Sequence, residues 1–446
     1  MTALSLPGLP REGRSALRAG VVGNWIDNIH VFLPLTALAP AMGVLAGPTA
    51  TASTGALIVV AMLFGRPVGG IVFGRIADRI GRTKTTRIAI AGTAVCALAI
   101  AATPTHDVLG AGTIALILIL RFVGGVFVAG EYSAAVPLTM EWSPPRRRGF
   151  MSGFVLSMAP WAQATIAFAV ATLLAILGPE RYAEWGWRAL FVAGAAASAG
   201  MFIYYTRHVT DAPVFHRPRS AAPAQGRVLG RWTSAFWQVF ILMSGLWLLT
   251  DSTVLLLTER LGTDTPLGAT DVSVIIGVAS IAQALVMTLA GHLSTITGRR
   301  ALLVGWGGAA ALAGPFLWWA AVTSGEFARA LVLASMLQVI TVSAYGPIAA
   351  YLSERFPTEV RSTGYGMGYS FSLVLPALYP FYLPWIEKVL GRQGSVMFLI
   401  VAGGALVVLG ALRGPRFTPA DIDRDIDDVA WAVVNERGQE AADARK

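Results

Sequence analysis

Long apolar runs alternate with short polar breaks along the chain. Runs of about 17–25 predominantly apolar residues are long enough to cross a bilayer as an α-helix. Twelve such runs are present, and each predicts a membrane-spanning helix. They cover residues 19–42, 53–75, 87–104, 110–138, 150–178, 186–206, 234–257, 272–294, 301–322, 326–350, 363–387 and 394–412. The pattern predicts an all-α membrane protein whose two termini lie on the same side.

The polar breaks repeat. Residues 74–84 read GRIADRIGRTK, and residues 291–300 read GHLSTITGRR, 217 positions later. A second motif behaves in the same way, because residues 141–148 (EWSPPRRR) are matched 213 positions later by residues 354–361 (ERFPTEVR). Two independent motifs at nearly one offset indicate two copies of a six-helix unit. That layout is typical of secondary transporters, which place the binding site between the halves.

The repeat divides the chain into five parts. These are a cytosolic N-terminal tail (1–18), a first six-helix bundle (19–206), a cytosolic linker (207–233), a second six-helix bundle (234–412) and a cytosolic C-terminal tail (413–446). The linker is the longest polar break inside the chain and is rich in Pro, Ala and Arg.

The C-terminal tail has its own pattern. Thr418-Pro419 is typical of a helix start, four branched residues from Ile422 to Val433 share one helical face, and five Asp lie between positions 421 and 428. A short solvated helix is the simpler interpretation, and a docking function is the alternative.

Composition places the chain in a bilayer. Apolar residues make up 55% of the 446 residues and charged residues only 13%, about half the charged share of a soluble domain. The single cysteine, Cys96, excludes disulfides and cysteine-based metal sites.

The charge distribution predicts the topology. A net charge of +9 alone is compatible with nucleic-acid binding. However, with the N-terminus in the cytosol, 26 of the 34 Lys and Arg residues fall on the cytosolic side and 6 in outer loops. This is the positive-inside bias of membrane proteins. It predicts a plasma-membrane protein of the bacterial inner membrane, with cytosolic termini and no nucleic-acid partner.

The repeated loop carries residue types with specific uses. Gly74 lets the second span approach a neighbour closely, and Asp78 can accept hydrogen bonds or face the positive end of a helix. Thr295 stands where the second copy would have the acid, so we expect an acidic latch in the first half only. The candidate gating residues are Gly74, Asp78, Arg79, Gly81, Arg82, Glu141, Arg148, Gly291, Gly298, Arg299, Glu354 and Arg361.

The duplicated loop resembles the signature loop of the major facilitator superfamily. Further stretches narrow the resemblance to its metabolite–proton symporter branch, which includes carriers of osmolytes, oxo-acids, citrate and shikimate. They are residues 66–70 (RPVGG), 130–131 (GE), 185–188 (WGWR) and 211–215 (DAPVF). The resemblance implies the superfamily fold, with twelve helices in two pseudo-symmetric six-helix bundles, and transport of a small solute with protons.

The chain departs from the branch in the first span. Where the branch usually has Gly-Asn-x-x-Glu-x-x-Asp, residues 23–30 read GNWIDNIH, so one carboxylate is shortened to Asp27 and the other is replaced by His30. Gly124 stands where the superfamily has Gln, and Ser370 follows Tyr369 where the branch has Asn. These differences bear on substrate and coupling, and not on the fold.

Several ionisable residues lie inside the spans. Such groups usually face the bundle interior and have a partner. At 1.5 Å per residue, Asp27, Arg66 and Glu131 all lie about 14–15 Å from the polar edge, at one level. One interpretation is that Arg66 and Glu131 neutralise each other in a structural role, and the other places them in the transport site.

Asn24, Asp27 and His30 share one face of the first span. Because histidine titrates near neutral pH, this face is interpreted as the proton-responsive wall of a cavity, the alternative being a neutral histidine bonded within the helix packing. Arg121 resembles the superfamily's fourth-span arginine and is expected to be the cationic partner of Asp27. Asp251, toward the outer end of the seventh span, is expected to cap that helix at the interface.

Polar and aromatic residues of later spans complete the predicted cavity, since such groups orient small ligands within apolar walls. The candidate substrate and proton site is Asn24, Asp27, His30, Arg121, Glu131, Trp161, Gln163, Gln283, Tyr365 and Tyr369, with Arg66 as a buried charge partner.

The predicted function is secondary active transport of a small organic acid or zwitterion across the plasma membrane, with protons and by alternating access. The alternatives are a proton-coupled antiporter that exports a metabolite or drug, and a membrane sensor that binds without transport. The sequence contains no Walker loop, zinc motif or nucleophile elbow, which argues against ATP-driven transport and against an enzyme. We expect a monomer in the lipid bilayer, with a solute and protons as partners and without cofactor or metal.

Overall fold

A computed structural model describes residues 9–47, 52–216, 232–416 and 423–430. The main helices are α1 Arg11–Ala37, α2 Ala52–Ile80, α3 Arg82–Ala101, α4 Gly112–Trp142, α5 Arg148–Leu156, α6 Met158–Arg181, α7 Trp187–His208, α8 Thr233–Thr250, α9 Leu257–Asp264, α10 Ala269–Thr297, α11 Arg299–Thr323, α12 Phe327–Val342, α13 Ile348–Arg355, α14 Arg361–Phe371 and α15 Tyr379–Leu412. Most of the predicted linker and much of both predicted tails lie outside the described residues, so the predicted domain bounds stay predictions.

The helices of the described residues account for twelve membrane-spanning segments, as predicted. Ten helical stretches of the described residues are long and apolar enough to span a bilayer. One of them, Pro145–His208, contains 64 residues. It crosses twice, because its backbone is non-helical at Gly178. Likewise α15 is non-helical at Gly391, and its first part completes the crossing that α14 begins.

Several spans are broken where the sequence predicts continuous helices. The seventh span consists of α8, a π turn at Asp251–Leu256 and α9. The tenth consists of α12, a 3-10 turn at Ser343–Tyr345 and α13. Hydropathy does not reveal these breaks, because it reports apolar character and not the path of the backbone. Irregular backbone at membrane depth is tolerated where it lines a cavity, and both turns do so.

The helices form two bundles with equivalent contacts between them. In the first bundle α2 and α3 pack on α4, and α1 packs on α6. In the second bundle α8 and α11 pack on α15, and α10 packs on α12. The bundles meet where α2 packs on α14 and where α10 packs on α5. These two contacts occupy matching places in the sequence repeat, so the interface is pseudo-twofold.

A polar layer divides the core of the first bundle. Ile26 belongs to one buried apolar cluster and Ile29, less than one turn further along α1, to another. Asp27 lies between them, next to Glu131 of α4, and Thr93 of α3 donates a hydrogen bond to Glu131. A buried polar group is costly without hydrogen-bond partners, so this layer is a candidate for function.

Candidate functional site

A cavity of about 110 Å³ lies between the two bundles. Its wall is largely apolar and aromatic with a few polar groups, as is usual for small-molecule sites. The polar and aromatic residues that line it are Asn28, Phe32, Arg66, Tyr132, Gln163, Trp247, Thr250, Asp251, Gln283, Tyr345 and Tyr369. Its charged lining residues are Arg66 from the first bundle and Asp251 from the second.

Arg66 is held by aromatic rings. Its guanidinium carbon lies 5.0 Å from the ring centroid of Tyr132, 5.4 Å from that of Trp247 and 5.6 Å from that of Tyr369. Such contacts are each worth about 0.5–2 kcal/mol. The side chain is buried, and its Nε has no hydrogen-bond partner among the described residues. The rings and a hydrogen bond with the Tyr369 hydroxyl hold the cation at the cavity wall, where a guanidinium suits an anionic group of a ligand.

Asp27 and Glu131 form a carboxyl pair inside the first bundle. The two groups are in hydrogen-bonding contact, and Thr93 Oγ1 donates to Glu131 Oε1 at 2.8 Å. Two carboxyl groups in contact repel strongly when both are ionised, so the pair holds at least one proton. Arg66 is close enough to act on the charge of Asp27.

The interpretation in which Arg66 and Glu131 neutralise each other is wrong, and the alternative of a place at the transport site describes Arg66. None of the ion pairs within the described residues involves either side chain. The sequence did place Asp27, Arg66 and Glu131 at one depth, and the structure brings these three groups together. The carboxyl pair stands behind the cavity wall, whereas Arg66 is part of that wall.

Asp251 lies in the cavity, so its predicted place at the membrane interface is wrong. It begins the π turn that interrupts the seventh span and is 4% exposed. Its Oδ2 has no hydrogen-bond partner within the described part of the chain. The span appears shorter in the sequence than in the structure, where α9 continues it to Asp264, and this extension moves Asp251 away from the outer edge.

His30 faces the helix packing and not the cavity. Its Nε2 lies 2.8 Å from Ser198 Oγ of α7. Its ring also lies against Gly194, where a Cβ atom would be 3.1 Å from His30 Cε1. The prediction that His30 forms a cavity wall is therefore wrong. His30 is instead hydrogen-bonded within the helix packing, which was the alternative interpretation.

Arg121 is not the partner of Asp27. Its guanidinium donates to the main-chain oxygens of His30 at 3.1 Å and Val31 at 3.4 Å. Pro34 lacks the N–H that would bond the carbonyl of His30 four residues earlier, so Arg121 satisfies an acceptor that the proline leaves free. The expected ion pair between Arg121 and Asp27 is absent from the described residues, and Arg66 takes the place near Asp27.

Three of the predicted cavity residues line the cavity, namely Gln163, Gln283 and Tyr369. Gln163 Oε1 accepts a hydrogen bond from Ser280 Oγ at 3.2 Å. Gln283 Oε1 has no partner among the described residues. These two amides lie on opposite bundles and add hydrogen-bonding capacity to the cavity.

The other predicted cavity residues lie outside it. Asn24 Nδ2 donates to the main-chain oxygen of Val155 at 2.6 Å. Trp161 is half-buried on α6 without lining the cavity. Tyr365 is buried beneath Tyr369, with ring centroids 5.8 Å apart. Asn24 was predicted from its spacing to Asp27, and Trp161 and Tyr365 from their residue types, neither of which shows which neighbouring helix a side chain meets.

Asn28, Tyr132 and Trp247 are cavity residues that the sequence analysis missed. Asn28 Nδ2 donates to Tyr132 Oη at 2.8 Å, and the Tyr132 ring stacks on Tyr369 with centroids 5.1 Å apart. Trp247 lies one turn before Asp251. A signal existed, because each residue neighbours a charged candidate. It was weak, because aromatic residues within apolar runs usually serve packing.

The signature loops lie at one end of the bundles, which we call the signature-loop end, and this end is closed. Asp78 Oδ1 accepts from Ser362 N at 3.0 Å, and its Oδ2 accepts from Thr363 N at 2.9 Å and Thr363 Oγ1 at 2.7 Å. Asp78 thus caps the N-terminus of α14 from the other bundle. Gly74 permits this approach, since a Cβ atom there would lie 2.8 Å from Thr363 Cα. Thr295 Oγ1, in the second copy, has no partner among the described residues.

The second repeated motif builds two reciprocal ion-pair networks. Each glutamate pairs with the motif arginine of the other copy and with the arginine after the loop glycine of its own copy. The contacts are Arg361–Glu141 at 2.7 Å, Arg148–Glu354 at 3.2 Å, Arg82–Glu141 at 3.2 Å and Arg299–Glu354 at 2.5 Å. Two of these contacts cross between the bundles, so the networks close the signature-loop end.

The loop glycines set the direction of these arginines. Gly81 and Gly298 have φ of +104° and +84°, directly before α3 and α11. Residues other than glycine rarely adopt this backbone conformation. Gly291 packs on α5, where a Cβ atom would lie 2.5 Å from the oxygen of Gly149, which mirrors the contact of Gly74. Arg79 is exposed at the surface.

The described part of the C-terminal tail docks on this closed end. Asp427 Oδ1 accepts from Thr358 N at 3.0 Å and from Arg361 Nη2 at 2.5 Å. Ile426 and Val429 are buried. Arg146 binds Asp423 through two hydrogen bonds of 2.7 and 2.9 Å, which lower the pKa of that carboxyl. Residues 423–430 are therefore docked, as the alternative interpretation of the tail expected. Ile422 and Val433 lie outside the described residues.

A pair of related membrane bundles around a central cavity, closed at one end, defines a membrane carrier. The chain belongs to the Major Facilitator Superfamily, whose sequence profile matches residues 28–380. The expectations of a transporter and of a protein that is not an enzyme are thereby confirmed.

The chain is similar to bacterial transporters along most of its length. It is 26% identical to the inner membrane metabolite transport protein YhjE of Escherichia coli (strain K12) over 411 residues, covering 88% of this chain and 92% of that protein. It is 28% identical to the proline/betaine transporter of the same strain over 368 residues, covering 78% and 71%. The solved proton:xylose symporter XylE shares the fold, with a TM-score of 0.72 at 18% identity, covering 90% of this chain and 94% of that one.

Proposed function

We propose that this carrier imports a small organic solute that bears a carboxylate, together with protons, across the bacterial inner membrane. The observation that supports the proposal best is the position of Arg66. It lines the cavity, its Nε has no partner among the described residues, and it lies in the field of the buried Asp27–Glu131 pair. The Arg66 guanidinium can therefore interact both with a solute in the cavity and with the carboxyl pair that holds protons.

The carboxyl pair supplies the coupling. With one proton, the pair carries a negative charge that attracts Arg66. A second proton removes that charge and leaves Arg66 free to bind the carboxylate of a solute. Solute binding and proton binding then favour each other, and the linkage is reciprocal. Asp27 and Glu131 take the proton role that the sequence analysis assigned to Asp27 and His30.

The closed signature-loop end supports alternating access. We place that end, both termini and the 207–233 linker in the cytosol, on the charge asymmetry of the loops. The contacts of Asp78 and the two glutamate networks would then keep the cytosolic side shut while the cavity loads from outside. Rocking of the two bundles breaks them and opens the other side. The transported solutes named for the relatives, metabolites, proline and betaine, are of the size and polarity that this cavity suits.

The test is uptake by proteoliposomes of a panel of radiolabelled carboxylates and amino acids, with and without an imposed pH gradient. The wild type should concentrate at least one solute on the gradient. The Asp27→Asn, Glu131→Gln double variant should lose concentrative uptake but retain counterflow at fixed pH. Glu326→Gln, which removes an exposed carboxylate, is the matched control and should behave as wild type. A double variant that still concentrates solute on the gradient would show that the coupling site lies elsewhere.

A further inference from the structure

Asp251 is a buried carboxylate without a partner. Within the described residues it makes no ion pair, and its Oδ2 accepts no hydrogen bond. It lies on a π turn whose backbone turns it into the cavity. A carboxylate in this position needs a cation or an N–H donor to offset its loss of hydration. Because Asp251 lines the cavity, a bound ligand can supply that partner.

Arg66 and Asp251 face one small cavity from opposite bundles. Arg66 has an unpartnered Nε and Asp251 an unpartnered Oδ2. A ligand with a carboxylate at one end and a cation at the other would satisfy both, whereas a simple organic acid would leave Asp251 unsatisfied. Such a ligand would also draw the two bundles together, because each end is held by a different bundle.

The kind of cation follows from the surroundings of Asp251. The aromatic ring nearest along the chain, Trp247, already has the Arg66 guanidinium over its ring at 5.4 Å. The Trp247 ring also makes edge-to-face contacts with the rings of Tyr345 and Tyr369. The rings of Tyr132, Trp247 and Tyr369 thus already hold Arg66, and Asp251 offers a hydrogen-bond acceptor. A quaternary ammonium has no N–H to donate to it, whereas a primary or secondary ammonium does.

From this geometry we infer that Asp251 is the cation subsite of the transported solute, and that the carrier selects zwitterions with an N–H-bearing ammonium over quaternary ammonium zwitterions and over plain carboxylates. The inference rests on the proposed function, since it assigns the other end of the solute to Arg66. It adds a second recognition point on the other bundle and a rank order of ligands.

The experiment uses two sets of solutes with matched skeletons, and the full-length protein in nanodiscs. The first set is L-proline, N,N-dimethyl-L-proline and cyclopentanecarboxylate; the second is 2-aminoisobutyrate and 2,2-dimethylpropanoate. Binding is measured by ligand-induced thermal stabilisation at millimolar concentrations. Wild-type protein should bind L-proline more tightly than the quaternary analogue, and the analogue more tightly than cyclopentanecarboxylate. The ammonium member of the second set should likewise bind more tightly.

Asp251→Asn should weaken binding of L-proline about tenfold or more, the value of one charge-assisted hydrogen bond, and leave the plain carboxylates unchanged. Asp251→Glu, which keeps the charge, should recover part of the preference and shows that the site still folds. Glu259→Gln, which removes an exposed carboxylate further along the same span, is the control and should keep the wild-type order.

Any of three results overturns the subsite. Wild type binds the ammonium members and the plain carboxylates equally well, wild type binds neither set, or Asp251→Asn keeps the wild-type preference. Each of these results leaves the proposed function standing if proteoliposomes still concentrate a carboxylate solute on a pH gradient through Asp27 and Glu131. Loss of that gradient response, with the Asp251-dependent preference intact, overturns the proposed coupling and keeps the subsite.

Discussion

Arg66 and Arg121 are two buried arginines of one bundle that are held in different ways. Arg66 lies among aromatic rings and keeps an unpartnered Nε. Arg121 donates hydrogen bonds to main-chain oxygens of α1 and to Met62 Sδ, the latter at 2.8 Å. The first arrangement places a guanidinium at the cavity wall, and the second fixes one helix against another.

We therefore expect replacement by lysine to affect solute binding at Arg66 and stability at Arg121. Arg66→Lys removes the planar group that the rings and a carboxylate both recognise, and should raise KM about tenfold, equivalent to ~1.4 kcal/mol. Arg121→Lys should leave KM nearly unchanged but lower the free energy of unfolding by about 1–3 kcal/mol, because buried carbonyls lose their donor. Uptake kinetics and thermal melting in detergent measure the two effects. An unchanged KM in Arg66→Lys would remove Arg66 from the site.

His30 should act in stability and not in coupling. Ser198→Ala removes its partner at 2.8 Å and should cost about 1 kcal/mol or somewhat more, since a buried ring nitrogen loses its hydrogen bond. The pH profile of uptake should keep its shape. The measurement is uptake against pH beside a melting curve. A displaced pH profile with unchanged melting would restore His30 to the proton path.

At the scale of elements, the two copies of the signature loop differ in one position. Asp78 binds the N-terminus of α14, whereas Thr295, its counterpart, has an unpartnered hydroxyl among the described residues. The glutamate networks, in contrast, are present in both copies. The closed end is thus built symmetrically from ion pairs and asymmetrically from one helix cap.

Asp78→Asn should weaken the closed end, because the charge opposite the positive end of α14 is lost. We expect a shift of about 0.5–2 kcal/mol toward the state open at the signature-loop end, with reduced transport and largely retained binding. The measurement is labelling of a Val342→Cys cavity reporter by an impermeant maleimide in inside-out vesicles. Thr295→Ala should change the labelling rate much less. Equal effects of the two variants would contradict an acidic latch in the first half only.

The docked tail is expected to act on the same equilibrium. Asp427→Asn removes the carboxylate that binds Arg361 and Thr358, so the same reporter should be labelled faster, and transport should change more than thermal stability. Asp428→Asn, its exposed neighbour, is the matched control. Identical labelling rates in the two variants would show that residues 423–430 rest on the closed end without stabilising it.

At the scale of the whole molecule, the charge bias of 26 basic residues against 6 predicts the orientation in the membrane. In a Cys96→Ser background, Ser220→Cys in the linker should resist an impermeant maleimide added to intact cells, because we place it in the cytosol. Glu184→Cys, in a predicted outer loop, should be labelled and serves as the positive control. Labelling of Ser220→Cys from outside would reverse the topology.

The repeat and the twelve spans were determined by the sequence alone. A bilayer requires long apolar helices, and a duplicated unit leaves its motifs at a fixed offset. The motif residues were found for the same reason. Gly81 and Gly298 need a backbone that glycine adopts readily, and the glutamates and arginines of the second motif recur as a set. Such local requirements are visible without coordinates.

The partners of the buried charges were decided only by the tertiary structure. Asp27 was expected to meet Arg121 and instead meets Glu131, while Arg121 serves a carbonyl that Pro34 leaves free. Asp251 lies in the cavity and not at the interface, because its span continues through a π turn and α9 to Asp264. Spacing along one helix gives its depth and face, but the neighbour of a side chain depends on the tilt, break and rotation of the helix opposite. Those quantities arise from packing between helices and have no local signature in the chain.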